Sequence, residues 1–250
     1  MNRSDRESDF LTIGQVHELI AATAHAFCIG QPLNLYLSIN WGRARIRCSA
    51  QEATWKYLKL FEDWLRKKER KHKAKPASPA WVLVQEHPPP KGENTHILAH
   101  CPLEYVEEFM RRKDAWAENP KIGATFQERG RVVNAQTVIG SFPEYDLFRY
   151  LENLKRTLGY FLKGLNQLQY PGYDIKYENQ GVILGKRCGT SQLLTANGRA
   201  KDARSRARNV HSVRLASGRQ FRLVHPYDRH RHFIDRIGLT LQGYRVKGDG

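Results

Sequence analysis

WVLVQEHPPPKGENTHILAHCP, residues 81–102, decides the fold. Trp81 to Glu86 is an apolar and β-branched run of strand length, and Pro88, Pro89 and Pro90 break it. Gly92 ends the turn, and the strand pattern resumes from Thr95 to Cys101 until Pro102 stops it. Two such runs joined by a short turn read as a β-hairpin. Strand side chains alternate between faces, so Asn94, His96, Leu98 and His100 share one face. Glu86, at the end of the paired strand, approaches that face across the hairpin.

Upstream, Ile13 to Phe27 reads as a short helix. Asn34 to Trp41 (NLYLSINW) alternates Leu35, Leu37 and Ile39 against Tyr36, Ser38 and Asn40, the pattern of a half-buried strand. A helix from about Ser49 to Lys68 follows, with Ser49 and Glu52 at capping-box spacing and an apolar stripe through Trp55, Leu58, Phe61 or Leu60, and Leu65. Downstream, Leu103 to Ala117 reads as a helix, Gly130 to Ile139 as strand, and Glu144 to Leu168 as a long helix closed by Pro171 and Gly172. A short strand begins at Gly181, and Val213 to Val224 suits a hairpin. The order strand, helix, strand, strand, helix, strand predicts an α+β fold. It is expected to be an antiparallel sheet with helices packed on one face, of ferredoxin-like type. The chain divides into a helical segment (1–33), the sheet domain (34–172) and a basic C-terminal extension (173–250).

The 250 residues carry a formal net charge of +16 with 40% hydrophobic residues. That is apolar matter enough for a core and cation enough to attract polyanions by Coulomb force and counterion release. Nucleic acid is the expected partner, with an acidic membrane surface as the alternative. The charged N-terminus does not read as a secretory signal and no apolar run is long enough to span a bilayer. Cys28, Cys48, Cys101 and Cys188 are widely separated, which points to unpaired thiols and a cytoplasmic setting.

Three stretches carry candidate chemistry. Glu86, His96 and Asn94, with His100 one pleat further on, form a carboxylate–imidazole set suited to a divalent ion such as Mg²⁺ or Mn²⁺. The same spacing also suits surface histidines beside a proline-rich turn. On the long helix, Leu147, Leu151, Leu154, Leu158, Phe161 and Leu165 form the buried stripe. Tyr160 lies off it, with Arg156 and Lys163 at helical spacing beside it. Cations there lower the cost of a phenolate, so Tyr160 is a candidate nucleophile for a phosphodiester; a tyrosine packing along a lysine stem is the plainer alternative. The third stretch, GKRCGTSQ (185–192), offers Lys186 and Arg187 to phosphates. Arg204 and Arg206 in RAKDARSRAR (199–208) extend the basic surface, as does RKKERKHKAK (66–75). Tyr36, Trp41 and Trp81 are candidate stacking platforms, with Trp81 equally suited to the core. His225, His230 and His232 sit in a basic segment near the end.

Taken in order, NLYLSINW, WVLVQEHPPPKGENTHILAHCP and LGYFLKG resemble the HUH endonuclease superfamily, in particular rolling-circle replication initiators of plasmids and filamentous phages. The likeness covers about Asn34 to Leu168. It implies nicking and joining of single-stranded DNA through a 5′-phosphotyrosyl intermediate on Tyr160, assisted by Lys163. It also implies a divalent metal on Glu86, His96 and either Asn94 or His100, and partners that include hairpin DNA at a replication origin and a host helicase. One position departs from the pattern: Asn94 stands where the family has its first histidine. The site is then either intact with altered ligands or decayed to a noncatalytic nucleic-acid binder. A transposase or relaxase of the same superfamily shares the chemistry.

Overall fold

The computed structural model describes residues 7–71, 79–126, 133–137, 147–166 and 177–205. Its strands are β1 (Glu7–Ser8), β2 (Leu35–Asn40), β3 (Ala44–Arg45), β4 (Trp81–Glu86), β5 (Asn94–Ala99), β6 (Thr125–Phe126), β7 (Val133–Thr137), β8 (Ile183–Leu184) and β9 (Cys188–Thr190). Its helices are α1 (Ile13–Cys28), α2 (Ala50–Lys71), α3 (Leu103–Ala117) and α4 (Leu147–Phe161), and residues 196–205 are also helical. The chain is mixed α and β, as expected. No helix among the described residues is long and apolar enough to cross a membrane.

Five strands form one antiparallel sheet in the order β7-β2-β5-β4-β9. The hairpin read from the sequence is there, with Glu86 opposite Asn94 and Val84 opposite His96. β2 and β4 both run antiparallel to β5, so α2 is a crossover between parallel strands, and α3 plays the same part between β5 and β7. The pairs β1·β8 and β3·β6 stand outside this sheet.

Helices cover both faces, which corrects the expectation of one. α2 and α3 pack Tyr57, Phe61, Trp64, Phe109 and Trp116 against Leu35, Leu37, Leu83 and Ile97. On the opposite face α1 and α4 pack Leu19, Ile20, Leu154 and Leu158 against Val82, Val84 and Leu98. The reason lies in the hairpin itself. All six residues of β4 and all six of β5 are buried, and strands buried on both sides need cover on both. α1 starts on a capping box in which Thr12 and Gln15 satisfy each other's backbone N–H groups. β9 adds the strand next to β4, so the sheet's framework draws on all three segments of the sequence.

α4 ends sooner than the apolar stripe suggests. Helical structure stops at Phe161, and residues 162–164 turn away from the axis. The carbonyls that would continue the helix are taken elsewhere: Lys163 O accepts from Glu178 N at 2.9 Å and Gly164 O from Leu11 N at 2.8 Å. The start of the expected helix at Glu144 falls outside the described residues, as do 206–250 and with them Arg206, the histidines of HPYDRHRH and the Val213–Val224 hairpin.

No disulfide joins the four cysteines. Glu108 ties α3 to α2: it pairs with Lys68, accepts from Trp64 Nε1 at 3.2 Å and from Arg112 Nε at 2.9 Å. Lys68 is the main cause that pulls its carboxyl down to about 2, against opposition from burial and with help from Trp64 and Arg112. A carboxyl held low stabilises the fold fully above its ordinary value near 4.5, and loses that effect as pH falls toward 2. Glu108→Gln is therefore expected to melt below wild type at neutral pH, with the gap closing on acidification; thermal melts across that range check it. Phe61, fully buried between the sheet and Phe109, sets a second expectation. Phe61→Ala should cost about 3–5 kcal/mol of stability by denaturant titration.

Candidate active site

β5 lies between β2 and β4, and their register lines up one face. Asn40 and Glu86 flank Asn94, and Ser38 and Val84 flank His96. This is the face that α4 covers, and the last turn of α4 packs Tyr160 and Phe161 against His96 near the turn end of the hairpin. The turn between β4 and β5 is pressed onto the end of β2. Gly42 N donates to Glu93 O at 2.9 Å, and a Cβ on Gly42 would fall 2.8 Å from Lys91 O and 2.9 Å from Gly92 Cα. Only a residue without a side chain fits there.

Glu86 and His96 are 4% and 3% exposed, with His96 Nε2 2.8 Å from Glu86 Oε1. The other ring nitrogen, Nδ1, is 2.9 Å from the Tyr36 hydroxyl. Lys163, 8% exposed, places Nζ 3.2 Å from Glu86 Oε2 and 3.2 Å from Glu178 Oε2. The same ammonium lies 3.8 Å from the centre of the Tyr160 ring. The Tyr160 ring stands edge to face with His96, centroids 5.0 Å apart, and is 42% exposed. One cluster thus joins a solvent-facing phenol, a buried ammonium, a buried carboxylate and an imidazole.

The electrostatics follow from those contacts. Burial works to raise the Glu86 carboxyl, but His96 and then Lys163 outweigh it and hold the group below the ordinary carboxylate range. Burial likewise works to lower Lys163, yet Tyr160, Glu86 and Glu178 keep it above the ordinary lysine value. Carboxylate and ammonium are each charged because the other is there. Tyr36 is pushed well above an ordinary phenol by burial first and by Tyr160 and Glu86, with Ser38 opposing.

The sequence-predicted residues divide plainly. Tyr160, Lys163, Glu86 and His96 come together, and Asn94 sits one pleat from His96, 7% exposed, its Nδ2 donating to Gly92 O at 3.3 Å. His100 does not join them. It lies four residues from His96, about 13 Å of extended chain, with Nδ1 2.8 Å from Pro32 O, so the reading of His100 as a ligand is corrected. Arg187 is corrected as a free phosphate contact: it is 1% exposed and its guanidinium binds the backbone of Ser8 and Gly181. Arg156, Lys186 and Arg204 are exposed. Trp41 is a core residue, 1% exposed, its Nε1 donating to Thr54 at 2.9 Å. Trp81 is core as well, bonded through Nε1 to Glu62 at 2.9 Å. Tyr150 is fully buried with its hydroxyl donating to Leu33 O at 3.3 Å, and burial raises its pKa far above that of a free phenol.

Sequence reasoning missed Glu178, and it read Tyr36 only as a stacking surface. Glu178 comes from a loop fixed at Gly181, whose φ is +65° and whose Cβ, if present, would fall 1.9 Å from His87 O. His87 N donates to Gln180 O at 2.7 Å in the same contact. The lone signal was that glycine after a polar run.

Among the described residues, no group of three or more His, Cys, Asp or Glu is placed to hold a metal ion. Glu86 and His96 supply two such groups and Asn94 an amide oxygen. Asn40 Oδ1, on the same face, is buried without a hydrogen bond, whereas Glu86 Oε2 faces the Lys163 ammonium at 3.2 Å. A carboxylate, an open amide oxygen and one imidazole fit a hard cation. No family model matches the chain, and no curated protein or solved structure matches it either.

Removing one charge of the buried pair leaves the other uncompensated. Lys163→Met is expected to lose roughly 3 kcal/mol of stability, and Glu86→Gln/Lys163→Met to recover most of it. Denaturant melts of the four-member cycle check this, and losses that simply add would contradict it.

Proposed function

We propose that the protein is a metal-dependent nicking-joining endonuclease of the HUH type for single-stranded DNA, acting at a replication origin to start rolling-circle replication. The observation that carries this reading is the Tyr160 ring standing edge-on to His96 beside Lys163 and Glu86. The buried Glu86–Lys163 pair brings the helix end to the hairpin, and the neighbouring phenol is left 42% exposed beside the carboxylate–imidazole pair. The strand order β7-β2-β5-β4 with crossovers through α2 and α3 also suits the ferredoxin-like sheet of that superfamily.

In this reading Tyr160 Oη attacks the scissile phosphorus. A tyrosyl–phosphate bond forms, the bond to the 3′-oxygen breaks, and the departing oxygen takes a proton as the phenol gives one up. The phosphodiester's energy is kept in the covalent link, so the strand can be rejoined. Lys163 lies against the tyrosine ring and stabilises negative charge on the phenolate and the phosphate. Glu86, His96 and Asn94 would hold Mg²⁺ or Mn²⁺, which supplies Lewis-acid polarisation of the phosphate. Arg156, Lys186 and Arg204 would track the DNA backbone, and hairpin DNA and a host helicase are the proposed partners.

Asn94 in the place of a histidine favours one second reading, a noncatalytic nucleic-acid binder that keeps the fold. A labelled single-stranded hairpin oligonucleotide, incubated with protein and Mn²⁺, separates the two. The nuclease predicts cleavage and a protein–DNA adduct that survives a denaturing gel. It also predicts that Tyr160→Phe forms no adduct and that Glu86→Ala cleaves on the order of a hundredfold more slowly or worse. Salt-sensitive binding with no adduct in any divalent metal would leave only the binder.

A further inference from the structure

We infer that Tyr36 is the positioning residue for His96, its hydroxyl fixing which ring nitrogen is presented to Glu86. Tyr36 sits on β2 and His96 on β5, but they are not directly opposite: Tyr36 faces Leu98, and Ser38 faces His96. The tyrosine therefore reaches diagonally across the pair, within the span of a long side chain, to bring its hydroxyl 2.9 Å from Nδ1. The two rings are nearly parallel, 9° apart with centroids at 6.0 Å. Phe161, from the end of α4, packs against both, 6.0 Å from the Tyr36 ring and 6.1 Å from the imidazole. Ring planes and the hydrogen bond are held by three different elements, which is more than a surface stacking platform needs.

The chemistry follows from the donor count. A carboxylate oxygen only accepts, so Nε2 carries the proton shared with Glu86 Oε1 at 2.8 Å. On a ring with a single N–H, Nδ1 is then the acceptor, and the Tyr36 O–H donates to it at 2.9 Å. A hydroxyl can also accept. If Nε2 serves as a metal ligand, as in the function proposed above, the ring proton belongs on Nδ1, and the same Tyr36 oxygen accepts it while the imidazole stays in place. Phenylalanine could support neither arrangement. The metal-binding consequence rests on the proposed function; the tautomer assignment does not.

The test uses the full chain and its Tyr36→Phe variant, which retains the ring that packs on Phe161. Long-range ¹H–¹⁵N spectra of the imidazoles, recorded without metal at neutral pH, are expected to give the Nε2–H tautomer for His96 in wild type and a mixed population in Tyr36→Phe. An Nδ1–H or doubly protonated ring in wild type would overturn the proposal, and so would identical spectra for the two proteins. Calorimetric titration with Mn²⁺ alone is expected to give a Kd roughly 10–100 times weaker for Tyr36→Phe, and equal affinities would overturn it. If wild type takes up no Mn²⁺, the metal reading of the proposed function fails while the imidazole spectra still decide the role of Tyr36.

Discussion

A carboxylate buried at the end of a hairpin strand has to find hydrogen-bond donors and positive charge or give up its own. Glu86 is 4% exposed, and a lone ionised group at that depth would take up a proton rather than remain charged. His96 answers one oxygen from the neighbouring strand, and Lys163 answers the other from the turn after α4. That second contact is the long-range one. It ties the turn after α4 to the hairpin, and so holds the last residues of the helix against the site. Tyr160 is carried over His96 as a consequence, because it lies three positions before the lysine.

Other features of the site serve the same geometry. The backbone of 162–164 leaves the helix because Leu11 and Glu178 supply hydrogen-bond donors to its carbonyls, and the Glu178 side chain shares the ammonium with Glu86. Gly42 and Gly181 permit two loops to close on the ends of β2 and β4 at distances a Cβ would forbid. Buried Arg187 links the segment before β9 to Ser8 and Gly181, so the chain's first described residues help hold the loop that carries Glu178. The site is thus built from four distant parts of the sequence, while the phenol that faces solvent is left accessible.

The hairpin was legible because proline, glycine and the run lengths of β4 and β5 are local signals. The likeness in face of Glu86, Asn94 and His96 followed from period-two alternation alone. Coverage of both sheet faces was harder to read, because WVLVQE mixes apolar and polar positions and its burial depends on α1 and α4 arriving from elsewhere. The C-terminal end of α4 was not legible: Leu162 and Leu165 continue a helical stripe, and the bonds that end it come from residues 11 and 178. Arg187 and His100 were misread for one reason. Charge and imidazole look alike in sequence whether they face solvent or are satisfied by a carbonyl, and both are held here by backbone oxygens. Tyr36 was seen as an aromatic surface because its role rests on a diagonal contact to His96 that spacing within one strand does not contain.

The most direct measurement is a crystal structure of Tyr160→Phe bound to a single-stranded oligonucleotide, with diffraction collected at the manganese edge after growth in Mn²⁺. The account predicts an anomalous peak ligated by Glu86 and His96, with a DNA phosphate between that peak and the ring at position 160. A strand bound on another face, or a ring at position 160 turned away from the phosphate, would contradict it.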